Sequence, residues 1–360
     1  MKDNRHKKYN NPVSATLTGI ADLFRKHEPA GELKLSDRLD GKTALVDGSS
    51  SGLGFAVATD LARRGARVIM ACRSGIPEQG ERVKKLSGNH DVHMLHVDFA
   101  DIRSITKLVE NLKPFLKGSD GVESRIDVLV CNAGIVPKKS RKTPQGLEEM
   151  FMVNYFSKFI FVNLLIGHNL MNINPELATG ESPDATDLNR KSEFVNRKSP
   201  IPRIVFVASE SHRNPDNFSW DEFGLYRNYQ IGKSIELYGY YKLLLTTYAC
   251  ELARRLNPGG HPRVSVFALC PGPVNSNIAR EAPVIFQPLL KVVFGIFFKS
   301  PVKAAVPVVY LAASPDVEGK TSDYLFLMSR KPVDEMAADP GNGRRLWEMS
   351  EALLENLKTV

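Results

Sequence analysis

The sequence predicts an α/β protein built on a single doubly wound parallel sheet that is flanked by helices. Short apolar, β-prone segments alternate with amphipathic helical segments, which is the pattern of a parallel sheet with crossover helices. A glycine-rich turn also joins the first strand to the first helix. The 360 residues allow one large domain or two modest ones, and the unbroken alternation favours one. The strand candidates are 43–47, 66–72, 93–97, 126–131, 203–208, 263–269 and 323–328.

The glycine-rich turn is Gly48-Ser-Ser-Ser-Gly52-Leu-Gly54. Apolar residues at helical spacing follow it over 55–64, and the next strand completes a βαβ unit. Such a unit brings backbone N–H groups and a helix N-terminus to a phosphate, and glycines let the backbone approach it closely. A tight turn that binds nothing is the alternative, which the completed βαβ unit makes weaker.

The end of the second strand bears on the choice of dinucleotide. An acid there would bind a ribose 2′-hydroxyl, whereas an arginine accommodates a 2′-phosphate. The chain has Arg73 and no acid at that point, so we expect NADP(H) rather than NAD(H). A solvated surface arginine is the alternative interpretation of Arg73.

A tyrosine and a lysine far downstream are spaced for proton transfer. Tyr238 and Lys242 are four residues apart in Tyr238-Gly-Tyr-Tyr-Lys242 and share one face of a helix. An ammonium beside a phenol lowers the pKa of the phenol, which would make Tyr238 an acid or base usable near neutral pH.

These motifs, in this order, resemble the short-chain dehydrogenase/reductase family and, within it, the retinol dehydrogenase-like branch. The resemblance covers about residues 41–355 and implies a Rossmann-type fold. It implies a catalytic set of Asn154, Ser209, Tyr238 and Lys242. The cofactor-binding positions that it implies, together with Arg73, are Gly48, Ser50, Ser51, Gly52, Leu53, Gly54, Asp98, Phe99, Asn132, Ala133, Gly134, Tyr238, Lys242, Pro271, Gly272, Val274 and Ser276.

The resemblance also implies a role for each catalytic residue. Tyr238 is the general acid in reduction and the general base in oxidation. Lys242 holds the nicotinamide ribose hydroxyls and lowers the pKa of Tyr238. Ser209 hydrogen-bonds the substrate oxygen, and Asn154 holds a water that links Lys242 to solvent. The cofactor carries the hydride.

Four positions near these motifs raise further expectations. Ser211 lies on the same side of the strand end as Ser209 and is the alternative catalytic serine. Tyr241 stands where the family usually has a serine, which should change cofactor packing, and His212 is expected to be structural. Asp47 stands where the family has a threonine before the first glycine, and its charge near a pyrophosphate should weaken cofactor binding.

Composition excludes several other classes of function. The net charge is +8, but the basic residues are spread out apart from an N-terminal cluster, so no nucleic-acid binding is expected. The four cysteines lie in apolar segments without metal-ligand spacing, so we expect no metal site and a reducing, intracellular location. No signal peptide or membrane-spanning segment is evident.

Segments outside the alternating pattern define the predicted domain boundaries. We expect an N-terminal extension, 1–40, before an NADP-binding domain, 41–360, that contains a surface insertion, 172–202, and a substrate lid, 277–300. The apolar stretch 284–298 would line a lipophilic pocket, lie on a membrane surface, or be a plain core helix.

Two later segments are expected to act near the substrate. Aromatic residues in the loop 213–237 would shape an apolar pocket or merely pack the loop down. The amphipathic helix 343–357 would act as a C-terminal lid or as a homodimer contact.

Two functional hypotheses follow. The first is an NADP(H)-dependent dehydrogenase/reductase that acts on a small hydrophobic alcohol or carbonyl compound, such as a retinoid-like or long-chain aldehyde. It would be cytoplasmic or peripheral on a membrane. The second is a non-catalytic NADP-binding regulator or scaffold. The complete catalytic set argues against the second hypothesis.

Overall fold

Eight strands form one sheet in the order β3-β2-β1-β4-β5-β6-β7-β8, parallel throughout except for the last antiparallel pair. The computed structural model describes residues 28–116, 124–173, 201–259, 262–272 and 300–358. The strands are β1 Thr43–Asp47, β2 Arg67–Cys72, β3 Val92–His96, β4 Val128–Cys131, β5 Arg203–Val207, β6 Ser265–Cys270, β7 Tyr324–Phe326 and β8 Ser329–Arg330.

The doubly wound Rossmann-type fold predicted from the sequence is confirmed. All seven predicted strands are present, with ends that differ by at most about two residues, as is usual for element boundaries. The short strand β8 was not predicted, because two residues carry no periodicity.

Helices cover both faces of the sheet. They are α1 Gly52–Arg63, α2 Glu78–Ser87, α3 Ile102–Leu116, α4 (Glu149–Phe151, Met152–Phe156 and Ser157–Gly167), α5 Ile231–Leu256, α6 Pro301–Ala313, α7 Glu335–Ala338 and α8 Pro340–Lys358. Alternate residues of the strands divide the core. Leu45 packs with α3, α4, α5 and α8, whereas Ala44 and Val46 pack with α1, α2 and α6.

Helix α4 is interrupted where it carries a predicted catalytic residue. Its middle segment, Met152–Phe156, is a π-helical turn that contains Asn154. Such wider turns occur mostly as single insertions in α-helices, often at functional sites. Residues 149–167 are long and apolar enough to cross a membrane, but 83% of the apolar window is buried in this fold. The apolar character therefore reflects packing in the core of the domain.

Both ends of the described chain pack on the domain. Residues 28–30 of the predicted N-terminal extension lie beside β8, where Ala30 N donates to Met328 O over 2.8 Å, and Leu39 N donates to Arg64 O at the end of α1 over 2.8 Å. The C-terminal helix α8 packs on α4 and α5 through Trp347, whose ring centre lies 5.3 Å from that of Phe159 and 5.7 Å from that of Tyr248. Helix α8 thus closes the core on that side.

The strand order places a crevice at the carboxyl edge of the sheet. The order in which successive strands are added reverses between the parallel neighbours β1 and β4, and such switch points in open α/β sheets bind ligands. The glycine-rich turn follows β1, Asn132-Ala-Gly134 follows β4, Ser209 follows β5, and Pro271 follows β6. The sheet therefore gathers segments that are distant in sequence.

Of the predicted insertion 172–202, only its two ends, 172–173 and 201–202, lie within the described residues. The predicted lid, 277–300, lies outside them except for Ser300, the residue before α6.

Candidate active site

The glycine-rich turn is held in a shape that only small residues allow. Gly48 has a φ of +60°, in the left-handed region. A Cβ on Gly54 would lie 2.5 Å from the carbonyl oxygen of Gly48, so any side chain there would collide with the turn. Asn132 Nδ2 donates to the carbonyl oxygens of Asp47 and Gly48, both over 3.1 Å. The turn is therefore fixed to the end of β4.

The N-terminus of α1 is left open for an anion. Ser51 is its N-cap residue, but the Ser51 side chain makes no capping hydrogen bond. The first backbone N–H groups of a helix lack partners within the helix and attract phosphate. Ser50 and Ser51 are partly exposed or exposed in the turn, and Gly52 and Leu53 begin the helix. The arrangement fits a dinucleotide pyrophosphate.

Arg73 is the first residue after β2, at the same edge. It is exposed and has no ion pair or hydrogen bond with other described residues. A Cβ on nearby Gly75 would lie 3.6 Å from Ser50 Cβ, so this loop lies against the glycine-rich turn. A guanidinium is thus available beside the turn.

Asp98 and Phe99 follow β3 with different surroundings. Asp98 is partly exposed, and its Oδ1 accepts from Ala100 N over 2.9 Å. Phe99 is only 6% exposed, and its ring packs in the core against Phe161. Only the backbone of Phe99 is therefore available for contact with a cofactor.

Ser209 caps the turn Glu210–Arg213 that follows β5. Its hydroxyl oxygen accepts from Ser211 Oγ over 2.9 Å and from Ser211 N over 3.3 Å. Ser211, the alternative catalytic serine, therefore supports Ser209. Because Ser209 accepts these bonds, its own hydroxyl proton is free to be donated elsewhere.

Tyr238 lies on α5 with part of its side chain exposed and its hydroxyl end enclosed. Burial raises the pKa of Tyr238 above its ordinary value, Cys270 raises it further, and a hydrogen bond with Ser209 opposes the shift. Tyr238 and Ser209 therefore lie within hydrogen-bonding distance of each other, as the predicted catalytic roles require.

Burial raises the pKa of Tyr238, whereas the sequence analysis expected Lys242 to lower it. Lys242 Nζ lies 5.7 Å from the centre of the Tyr238 ring and donates to Val207 O over 2.8 Å. Lys242 is 3% exposed, and burial, followed by the charge of Lys158, lowers its pKa to about 8. Burial of the phenol therefore outweighs the distant ammonium.

Asn154 is held by the segment after β4. Its Oδ1 accepts from Ile135 N over 2.8 Å, and its Nδ2 donates to Ile135 O over 2.9 Å. A Cβ on Gly134 would lie 3.0 Å from Asn154 Oδ1 and 3.7 Å from Lys242 Nζ. Gly134, Asn154 and Lys242, which belong to three predicted motifs, therefore lie close together. A side chain at position 134 would fill the space between them.

The interpretation of Asp47 as a charge facing the pyrophosphate needs correction. Its side chain is fully buried and turned toward β4, where Oδ1 accepts from Asn132 N over 2.6 Å and also from Ala133 N. Oδ2 lies 2.9 Å from Lys158 Nζ, so the charge is paired behind the turn. The sequence analysis missed Lys158. The available signal was a lone lysine in the apolar segment 156–162.

Two neighbours of the predicted catalytic residues, His212 and Tyr241, have structural contacts. His212 Nδ1 lies 2.7 Å from Ser209 O, and its Nε2 accepts from Asp334 N over 3.3 Å. Tyr241 is 3% exposed, and its ring centre lies 5.6 Å from that of Phe151, so it lies in the core. Tyr241 therefore does not alter cofactor packing directly.

Of the last motif, Pro271 and Gly272 follow β6 at the crevice, whereas Val274 and Ser276 lie outside the described residues. A phosphate-binding turn, an asparagine, a serine, a tyrosine and a lysine thus meet at one switch point. This combination defines a nicotinamide-dependent oxidoreductase on a Rossmann-type sheet.

Comparison with known proteins agrees with this class. The family model described as short chain dehydrogenase matches residues 42–173. Human retinol dehydrogenase 14 is 32% identical over 337 residues, covering 89% of this chain and 88% of the relative. Bovine dehydrogenase/reductase SDR family member 13 is 31% identical, covering 88% of this chain and 74% of the relative. The chain belongs to the short-chain dehydrogenase/reductase family, in its retinol dehydrogenase-like branch.

Solved structures share the fold at lower identity. The Pseudomonas aeruginosa RhlG/NADP active-site complex superimposes with a TM-score of 0.57 at 20% identity, over 86% of this chain and all of that one. A short-chain type dehydrogenase/reductase from Mycobacterium marinum gives a TM-score of 0.55 at 18% identity, over 85% of this chain and 97% of that one.

Proposed function

We propose that this protein transfers a hydride between NADP(H) and a hydrophobic alcohol or carbonyl compound, with Tyr238 as the acid/base. The convergence of Tyr238, Ser209, Asn154 and Lys242 on the carboxyl edge of the sheet carries the proposal. The family binds a nicotinamide cofactor, which supplies or accepts the hydride when bound. The protein orients the substrate and manages its proton.

The hydrogen bonds around Tyr238 suggest how the proton moves. Ser211 donates to Ser209, which leaves the Ser209 proton for the oxygen of a substrate. A raised pKa keeps the Tyr238 phenol protonated at neutral pH. Reduction of a carbonyl needs such a donor at the oxygen, and oxidation needs the same phenol to accept a proton. The surroundings of Tyr238 favour its role as the donor.

A tyrosine exchange tests the catalytic role. Tyr238→Phe should retain cofactor binding but lose roughly 10²- to 10⁴-fold in turnover of lipophilic aldehydes. Tyr240→Phe is the matched control, because Tyr240 lies on the same helix and, among the described residues, its hydroxyl hydrogen-bonds the backbone of Ser219. NADPH binding without turnover in the wild-type protein would instead support the regulator or scaffold hypothesis.

Arg73 supports the choice of NADP(H). It is exposed beside the glycine-rich turn and lacks an acidic partner among the described residues. Arg73→Gln should lower kcat/KM with NADPH roughly 10- to 100-fold, because charge-assisted bonds to a 2′-phosphate are lost. The value with NADH should change little. Arg344→Gln, at an exposed position on α8, is the control. An equal loss with both cofactors would contradict the assignment.

Apolar side chains near Tyr238 support a hydrophobic substrate. Ile235 and Ile231 precede Tyr238 by three and seven residues on α5, on the same face, and remain 37% and 50% exposed. By contrast, the loop residues Phe223 and Tyr229 pack against Phe151 and Glu148, which favours the loop-packing alternative. The similarity to retinol dehydrogenase 14 makes retinoid-like compounds a first choice.

Aldehydes of different chain length test whether the apolar side chains near Tyr238 contact the substrate. Ile235→Ser should raise KM for a long-chain aldehyde and leave KM for a short-chain aldehyde nearly unchanged. Val302→Ser removes another apolar side chain, 66% exposed on α6 and not on α5, and should change neither value. An unchanged KM for the long aldehyde in Ile235→Ser would remove this support.

Location and assembly remain part of the same proposal. A lipophilic substrate fits an intracellular protein that associates peripherally with membranes. Sedimentation with liposomes tests membrane association, and light scattering tests the proposed homodimer. The apolar stretch 284–298, which suggested membrane contact, lies outside the described residues.

A further inference from the structure

We propose that Asp47 and Lys158 form one positioning unit behind the cofactor crevice, in which each residue is needed because the other is present. This inference rests on the proposed cofactor site and deepens it. The unit joins the end of β1, the end of β4 and helix α4, which are the three elements that shape the crevice.

Asp47 holds the end of β4 directly. Its Oδ1 accepts from the backbone N–H groups of Asn132 and Ala133. The Asn132 side chain in turn donates to Gly48 O, so the carboxylate, the strand end and the glycine-rich turn form one connected set. A displacement of Asp47 therefore moves groups that would touch a pyrophosphate.

Lys158 is an unusual residue for its surroundings. It is 1% exposed, and its Nζ lies 2.9 Å from Asp47 Oδ2 and 4.0 Å from the centre of the Phe99 ring. The contact with Asp47 lacks hydrogen-bond geometry, and neither Nζ nor Oδ2 has a hydrogen-bond partner among the described residues. Charge attraction and the aromatic face thus stabilise the ammonium.

The position of Lys158 on α4 links the pair to the catalytic set. Lys158 follows Asn154 by four residues, one turn along the helix and on the same face. Asn154 holds both backbone groups of Ile135. The pair therefore fixes how far α4 stands from the end of β4, and with it the placement of Asn154.

The titration of Lys242 distinguishes an effect of charge from an effect of packing. The groups that face Lys242 are Asp47 from β1, Lys158 from α4, Cys270 from β6 and Tyr238 from its own helix. Lys158 lowers the pKa of Lys242 and Asp47 raises it. Removing one charge or the other should therefore shift the titration of Lys242 in opposite directions.

Three variants test the unit: Asp47→Asn, Lys158→Met, and the double exchange that combines Asp47→Asn with Lys158→Met. Binding of NADPH is measured without substrate, and unfolding by urea is measured without cofactor. Each single exchange should weaken NADPH binding roughly 10- to 100-fold through displaced contact groups, and the double exchange should restore most of the affinity. Lys42→Met is the control, since Lys42 pairs with Asp127 over 3.5 Å at the opposite end of β1.

The pH profile of kcat/KM supplies the second readout. The limb at high pH should shift to lower pH in Asp47→Asn and to higher pH in Lys158→Met. In the double exchange it should return toward its wild-type position. If a single variant does not fold, the double exchange decides the question, because restored folding and affinity support the unit.

Several results would overturn the inference. These are wild-type NADPH affinity in Lys158→Met, additive losses in the double exchange, or parallel shifts of the pH limb. Absence of any nicotinamide cofactor binding by the wild-type protein would refute the proposed function instead. The coupling between the two positions in urea unfolding would then still show whether the pair acts as a unit.

Discussion

Acidification should weaken this fold through one buried histidine, His212. The side chain is fully buried, and burial, followed by the charge of Arg213, lowers its pKa from 6.5 to about 4. Its Nε2 accepts from Asp334 N, so Nδ1 carries the proton that is donated to Ser209 O. A second proton, on Nε2 of His212, would place its N–H donor opposite the backbone N–H donor of Asp334.

The size of the effect follows from the pKa difference. The unfolded chain binds a proton at this histidine near pH 6.5, and the folded chain only near pH 4. The contribution of neutral His212 to the free energy of unfolding is therefore complete above pH 6.5, and it is lost as the pH decreases toward 4. The loss is about 2 kcal/mol at pH 5 and approaches about 3 kcal/mol below pH 4.

Urea unfolding at pH 7.5, 6, 5 and 4 measures this loss against a variant. His212→Asn can keep a donor toward Ser209 O but does not titrate, so its unfolding free energy should fall less over this range. Carboxylates lose stability in both proteins, and the difference between the two curves isolates His212. His90→Asn, at an exposed position, should follow the wild-type curve. Identical slopes for wild type and His212→Asn would refute the reasoning.

Three further outcomes are expected. Gly54→Ala should abolish cofactor binding, because its Cβ would lie 2.5 Å from a backbone oxygen. Gly232→Ala has open space around it and should bind the cofactor normally. Calorimetric titration of both variants measures the difference. Ser211→Ala should lower kcat only a few-fold, since it removes one bond to Ser209, while Ser209→Ala should lower it roughly 10²-fold or more in steady-state assays. Burial raises the pKa of Cys270 to about 11, so the native protein should resist alkylation there at pH 8, as mass spectrometry after labelling would reveal.

Local information in the sequence determined the framework of this protein. A strand such as Thr43–Asp47 is fully buried and reads as a continuous apolar run ending in a polar residue. The glycine-rich turn was recognisable because the backbone there admits only small residues. The spacing of Tyr238 and Lys242 fixed their shared helix face. These features depend on neighbours within a few residues, so the fold class and the candidate site could be predicted.

The tertiary structure alone decided which charges and hydroxyls meet. Asp47 was expected to face a pyrophosphate, but it lies behind the turn against Lys158 from another helix. Lys242 was expected to activate Tyr238, yet its ammonium bonds a strand carbonyl and the phenol responds to burial. Burial and long-range charge are set by groups from distant segments, which no local pattern encodes. The sequence could name candidate site residues, and only their packing determines the protonation and partner of each.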